Sequence, residues 1–263
     1  MGTLFTSLRI LGSISNIMWS FENKTYLVTG ANSGIGKSVA RLLLENGARL
    51  FMIDKDVNVI KEMLRPNLSN SSYLQFDLSS PVDVPSIFIK AKEQGFQFDG
   101  LAYCAGISPL MSLHDFDLEV FQKTFNVNVV SFVAMLKFFM DEDYTHSKSS
   151  IVGISSNASV LGGNRQYAYS ASKSAMNLVV KSCVKELAQR KTRVNAIMPS
   201  TTNTEMVARL REQSDAIDLN VKYRMPFGIL NPEDVANNVL YLLSEISSAM
   251  SGILLPVNNG EVY

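Results

Sequence analysis

From Thr25 onward the chain alternates short apolar runs with longer stretches of helical spacing. Seven runs read as strands: TYLVT (25–29), RLFMI (49–53), YLQF (73–76), GLAYC (100–104), SIVGIS (150–155), RVNAIM (193–198) and ILLPV (253–257). Most are continuous rather than alternating, as in strands covered on both faces. Between them the apolar spacing predicts helices over 35–46, 57–64, 82–94, 118–140, 169–189 and 233–243. Regular strand–helix alternation implies right-handed crossovers, so the expected fold class is α/β: a doubly wound parallel sheet with helices on both faces. No repeat, linker or low-complexity tract divides the pattern, which predicts one domain over 21–263. Residues 201–230 break the rhythm and read as a lid or substrate loop, with a plain surface excursion as the alternative. Met206, Leu210, Tyr223, Met225 and Phe227 within it suggest an apolar contribution to a pocket.

Residues 1–20 (MGTLFTSLRILGSISNIMWS) scatter their apolar positions around Arg9 and lack the unbroken run of about 18 that could span a bilayer. The nearly uncharged start makes a weak secretory signal. Met1-Gly2 with Thr6 meets only a loose myristoylation pattern. The segment is expected to be a poorly ordered extension, with no membrane partner.

Composition narrows the classes. The 263 residues are 46% apolar and 18% charged, with 24 basic and 24 acidic side chains and a formal net charge of zero. A balanced chain has no general attraction to nucleic acid or anionic lipid, so neither is expected as a partner. Two cysteines in unlike settings, Cys104 and Cys183, argue against a disulfide scaffold and for a reducing, cytoplasmic location. With only His114 and His146 and no Cys/His cluster, neither a metal site nor a Ser–His triad is expected.

The first strand runs straight into TGANSGIGKSVARLLL, where Gly30, Gly34 and Gly36 precede a helix. Glycines there let the backbone approach a pyrophosphate, whose charge the helix N-terminus favours. The strand–turn–helix context is what gives such a turn its meaning. Asn32, Ser33 and Ile35 belong to the same turn. Asp54, at the end of the second strand, can accept hydrogen bonds from adenosine ribose hydroxyls and would repel a 2′-phosphate. That favours NAD, although Lys37 and Lys55 leave NADP possible; a helix N-cap role for Asp54 would coexist with this binding role. Asp77, after the third strand, could meet an adenine edge.

Tyr169 and Lys173 stand one helical turn apart among small residues, hence on one face of a helix. At this point the chain resembles the short-chain dehydrogenase/reductase family, through TGANSGIG, YCAG (103–106), NVNVVSF (126–132), ISS (154–156), YSASK (169–173) and RVNAIMPS (193–200), in that order over about 22–260. The resemblance implies a seven-stranded Rossmann sheet of order 3-2-1-4-5-6-7. It maps an Asn-Ser-Tyr-Lys tetrad onto Asn128, Ser156, Tyr169 and Lys173, leaving Asn126 and Ser155 structural. It adds Leu78, Ala105, Gly106 and Thr204 to the cofactor contacts.

The physics agrees in outline. A phenol of pKa about 10 is a poor acid–base group at neutral pH, and a neighbouring ammonium should bring it toward useful range. Ser156 would hydrogen-bond the substrate oxygen. Asn128 would hold a water relaying protons through Lys173, which could also hold the nicotinamide ribose. Ser170, Ala171 and Ser172 are expected to be small because cofactor and substrate lie against that helix.

The chain departs from the family at YCAG (family N-N-A-G), at MPS (P-G), giving Ser200, and at VNNG, 257–260 (V-D-G-G). Cys104 reads as a buried small side chain rather than a reactive thiol. Helices 118–140 and 169–189 carry apolar residues on more than one face, including Phe132, Met135, Phe138, Phe139, Val179, Val180 and Val184. The resemblance implies that a second subunit covers one face, in a homodimer or homotetramer. The expected function is interconversion of a secondary alcohol and a ketone with NAD(P), the small-molecule substrate being a 3-oxoacyl thioester, a sugar or another small alcohol. A non-catalytic dinucleotide sensor is the alternative.

Overall fold

The structure, a computed structural model, describes residues 20–65, 70–213 and 224–261. The expected extension at 1–20 therefore lies, but for Ser20, outside the described residues, as does Tyr223. Strands β1 (Thr25–Thr29), β2 (Arg49–Asp54), β3 (Ser72–Gln75), β4 (Phe98–Tyr103), β5 (Thr145–Ile154), β6 (Arg193–Pro199) and β7 (Leu254–Val257) form one sheet. Its order is 3-2-1-4-5-6-7, parallel throughout. The order reverses between β1 and β4, which opens a crevice at the carboxyl ends of the strands, where such sheets bind ligands.

The continuous apolar runs are the interior strands: Leu27, Val28, Phe51, Met52, Leu101, Ala102, Ile151 and Val152 are fully buried. β3 differs, since its residues alternate between half-buried and exposed. As an edge strand it has less cover than its apolar sequence suggested. β7, the other edge, accommodates Pro256, which a central strand would not.

Helices α1 (Gly34–Glu45), α2 (Asn58–Leu64), α3 (Val84–Glu93), α4 (Leu118–Phe125), α5 (Ser131–Phe138), α6 (Ala158–Leu161), α7 (Tyr167–Leu187), α8 (Glu205–Gln213) and α9 (Pro232–Leu243) complete the described elements. One core lies where α1 and α9 pack on the sheet, through Val39, Leu43, Val235 and Val239. The other lies under α3, α5 and α7, through Phe88, Phe132, Met135 and Val180.

The helix expected over 118–140 is not continuous. Asn126–Val130 forms a π turn between α4 and α5, and α5 ends at Phe138. Three β-branched residues weaken the α-helical preference there, while Asn126 donates to the Ser79 carbonyl at 3.1 Å and Asn128 is drawn to Ile107. Most of the residues expected to await a second subunit are used within the chain: Phe132, Met135, Phe139 and Val180 are buried, and Phe138, Val179 and Val184 pack against the same core. Exposed apolar groups nearby are instead Val130, Val133 and Leu178. Among the described residues no helix is long and apolar enough to cross a membrane.

Candidate active site

A cavity of about 480 Å³ runs along the carboxyl edge of the sheet and unites the glycine turn with Tyr169 and Lys173. Gly30, Ser33, Gly34, Ile35, Gly36, Asp54, Asp77, Leu78, Ala105, Gly106, Ser156, Tyr169, Lys173 and Thr204 all line it. Asn32 and Asn128 do not; they support it from behind.

The turn closes on itself. Gly30 has φ +65°, and a Cβ there would sit 2.8 Å from the Ala105 nitrogen. A Cβ on Gly36 would lie 2.1 Å from the Gly30 carbonyl oxygen, so no side chain fits between α1 and the strand end. Thr29 Oγ1 accepts hydrogen bonds from the Cys104 and Ala105 N–H groups, both at 3.0 Å, tying the ends of β1 and β4 together. The Asn32 side chain is occupied elsewhere: Oδ1 accepts from Val59 N at 2.8 Å and Ile60 N at 3.3 Å, securing the start of α2. Asp54 accepts from Asn32 N and Asp56 N rather than from a helix N-terminus, while still facing the cavity. Asp77 accepts from Ser79 N, and chiefly that bond holds its carboxyl below the usual range.

At the start of α1 a group that the sequence did not announce takes part. Glu205, the first residue of α8, accepts a hydrogen bond from Gly34 N at 3.0 Å. A carboxylate placed on the positive end of a helix stands in for an anionic oxygen. A pyrophosphate suits this position, since it offers the same oxygen chemistry to a backbone with no Cβ in the way. Thr204 lies beside it, its Cγ2 3.2 Å from where a Cβ on Gly34 would be.

The Tyr169 hydroxyl lies near enough to Ser156 for that side chain to favour its ionised form, and Ser156 Oγ accepts from Ala158 N at 3.1 Å. Lys173 is buried, donates to the Ile154 carbonyl at 2.6 Å and stands 5.7 Å from the centre of the Tyr169 ring. Burial lowers its ammonium from 10.5 to about 8, against an opposing pull from Cys104. Desolvation raises the Tyr169 phenol, with the nearby Ser156 side chain opposing it. This corrects the simple expectation that the ammonium draws the phenol down. The ammonium is tied to Ile154 and lies beside the ring, so desolvation dominates both groups. Such a phenol is protonated at neutral pH.

Asn128 is fully buried, and its amide is committed. Oδ1 accepts from Ile107 N at 2.9 Å, and Nδ2 donates to Ile107 O at 3.0 Å and Ser172 Oγ at 2.9 Å. The side chain is a clamp between the π turn, the segment after β4 and α7, rather than an open water ligand. A Cβ on Gly106 would come 3.3 Å from Lys173 Nζ and 3.4 Å from Asn128 Oδ1, which ties that glycine to both.

The small residues of α7 serve packing. Ser172 donates to the Tyr169 carbonyl, Ser174 donates to the carbonyls of Ser159 and Ser170, and Ala171 is exposed. Ser170, Ala171 and Ser172 do not line the cavity, contrary to expectation. Asn126 donates to the Ser79 carbonyl and Ser155 Oγ to the Lys173 carbonyl. Tyr103, in place of an asparagine, is buried and donates to the Val127 carbonyl beneath the π turn. Burial pushes the Cys104 thiol up to about 12, so it stays protonated.

Of the apolar residues singled out in 201–230, Met206 and Leu210 line the cavity. Met225 packs into the core beside α9, and Phe227 is exposed on the surface, so neither forms part of the wall. The far wall holds a second unforeseen group: Glu261, only 4% exposed, accepts from Asn157 Nδ2 at 2.6 Å, from Ser200 Oγ and from Arg224. The departures at Ser200 and after Val257 thus meet at one carboxylate. Sixty-one residues separate that pair, a link no local pattern reveals.

Residues 30–261 match the family model described as enoyl-(acyl carrier protein) reductase. A 3α-hydroxysteroid dehydrogenase of Mediterraneibacter gnavus is 31% identical over 245 residues, covering 90% of this chain and 96% of the relative. An NAD-dependent glycerol dehydrogenase of Listeria innocua is 29% identical, covering 92% and 95%. Among solved structures, a protein from Brucella melitensis titled short-chain dehydrogenase/reductase, glucose/ribitol dehydrogenase, superposes with a TM-score of 0.84. It has 26% identity and covers 93% of this chain and 99% of that one.

Proposed function

The chain belongs to the short-chain dehydrogenase/reductase family, an oxidoreductase that acts on CH–OH groups and uses a nicotinamide dinucleotide, and from that premise we propose that Tyr169 is its acid–base residue. The observation that carries the proposal is that Tyr169, Ser156 and a buried Lys173 line one cavity with the glycine turn. The backbone of the Gly30–Gly36 turn would hold the pyrophosphate, Asp54 the adenosine ribose, Asp77 and Leu78 the adenine side, Ala105 and Gly106 the middle, and Thr204 the carboxamide. Asn32 would contribute through the shape of the turn. The nicotinamide, when bound, supplies or takes up the hydride.

The rest is done by the chain. In the direction of ketone reduction, the protonated Tyr169 hydroxyl donates a proton to the substrate oxygen, and Ser156 hydrogen-bonds that oxygen as charge builds on it. In the direction of alcohol oxidation, the phenol must first lose its proton. Lys173 supplies positive charge for that, and below about pH 8 its ammonium is the charged form. Asn128 fixes the Ile107 segment and α7, so that Tyr169 and Lys173 keep one alignment.

NAD is the preferred cofactor in this reading, because the Asp54 carboxylate faces the cavity and would repel a 2′-phosphate; Lys55 in the same wall makes NADP the test case. The Listeria innocua relative, named as NAD-dependent, supports the same preference. The exposed Val130, Val133 and Leu178 support a homo-oligomer formed over α5 and α7. The test is a screen of secondary alcohols and ketones with NADH and NADPH in parallel. Turnover with NADH favoured, and the preference relaxed in Asp54→Ser, is expected. A preference for NADPH in the wild type would overturn the cofactor assignment.

A further inference from the structure

Resting on the dehydrogenase reading, we infer that the substrate is an anion: an apolar-bodied hydroxy or oxo acid whose carboxylate is received by Arg224, with Arg165 and Arg209 at the rim. All three guanidinium groups line the same cavity as Tyr169. Arg224 is exposed and is paired through one terminal nitrogen with Glu261. Glu261 is buried, and two further donors, Asn157 and Ser200, hold it in place.

A buried carboxylate is retained only where it is fully paired. Here it fixes a guanidinium whose remaining N–H groups have no other partner among the described residues. A planar guanidinium held by one edge presents its other donors in the geometry that a carboxylate matches. The guanidinium groups of Arg165 and Arg209 are exposed and have no hydrogen bond or ion pair among the described residues. Of the acidic groups on that side, Glu261 is paired with Arg224, while Glu205 accepts from Gly34 N, where a pyrophosphate would sit. The same cavity is also lined by the apolar side chains of Ile107, Leu110, Met206 and Leu210. A substrate in this cavity therefore meets the acid–base pair, an apolar surface and cationic donors together.

The test uses full-length protein loaded with NADH. Oxo acids with the ketone one to five carbons from the carboxylate, and 4-oxocyclohexanecarboxylate, are each titrated beside their primary amides by calorimetry. Acetoacetyl-coenzyme A and its neutral N-acetylcysteamine analogue form a separate arm. The expected result is that at least one acid binds ten-fold or more tighter than its amide, with the ratio falling to near one in Arg224→Met and reduced in Glu261→Gln and Arg209→Met. Equal binding of acids and amides, no binding by any acid, or selectivity confined to the coenzyme A pair would overturn it, the last by assigning the anion to a thioester's phosphate. The two readings fail separately. Tyr169-dependent reduction of amides as readily as acids refutes the anion site alone, whereas selective acid binding without reduction of any ketone refutes the dehydrogenase reading alone.

Discussion

Replacing Lys173 by methionine should abolish turnover yet leave the folded protein at least as stable near neutral pH. The ammonium is 3% exposed, and burial moves its pKa from 10.5 to about 8. At about 1.4 kcal/mol per pH unit this is a cost on the order of 3 kcal/mol, present while both the folded and unfolded states carry the proton. Methionine removes that cost but also the hydrogen bond to Ile154, and an unpartnered carbonyl costs about 1–3 kcal/mol. The two terms nearly cancel, so the decisive quantity is the pH dependence. Between about pH 8 and 10.5 the unfolded chain holds the lysine proton and the folded chain has released it. The unfolded state then binds more protons, and stability rises with pH. Below pH 8 both states are protonated and the slope vanishes. Urea unfolding of both proteins at pH 7, 8, 9 and 10, at one protein concentration, gives the difference directly. The wild type should gain on Lys173→Met across pH 8–10, approaching 3 kcal/mol toward pH 10.5. A difference that is flat with pH, or that moves the other way, would refute the placement of Lys173 as a desolvated ammonium.

Two other substitutions probe the cofactor end. Gly36→Ala puts a methyl 2.1 Å from the Gly30 carbonyl oxygen; overpacking of this kind costs about 1–3 kcal/mol, and calorimetry should show a lower Tm together with weaker NADH binding. Glu205→Gln removes the charge that competes for the α1 N-terminus, an interaction of about 0.3–1 kcal/mol. NADH affinity, followed by fluorescence titration, should rise about two- to five-fold, and a fall would instead make Glu205 a cofactor contact.

The sheet was legible in the sequence because its interior strands are buried on both faces, so Leu27-Val28 or Ile151-Val152 leave an unbroken apolar record. The site was legible where chemistry depends on local spacing: Gly30 to Gly36 in one turn, and Tyr169 to Lys173 on one helical face. It was less so where tertiary contacts decide. The π turn at Asn126–Val130 is favoured by Asn128 bonding to Ile107, 21 residues away, and helical periodicity does not see such a bond. The occupation of Asn32 by α2, of Ser172 by Asn128, and of Ser200 by Glu261 are likewise pairings across the chain. The direction of the Tyr169 shift followed from burial, which residue spacing alone does not reveal.

The central claim is that the Tyr169 phenol moves the proton while the rest of the cavity holds the reactants. Its most direct test is Tyr169→Phe, with NADH affinity by fluorescence and hydride transfer by single-turnover absorbance on the best substrate of the screen. The account predicts NADH affinity within about two-fold of wild type and a transfer rate lower by roughly 100- to 10,000-fold. Transfer at the wild-type rate with NADH still bound would contradict it.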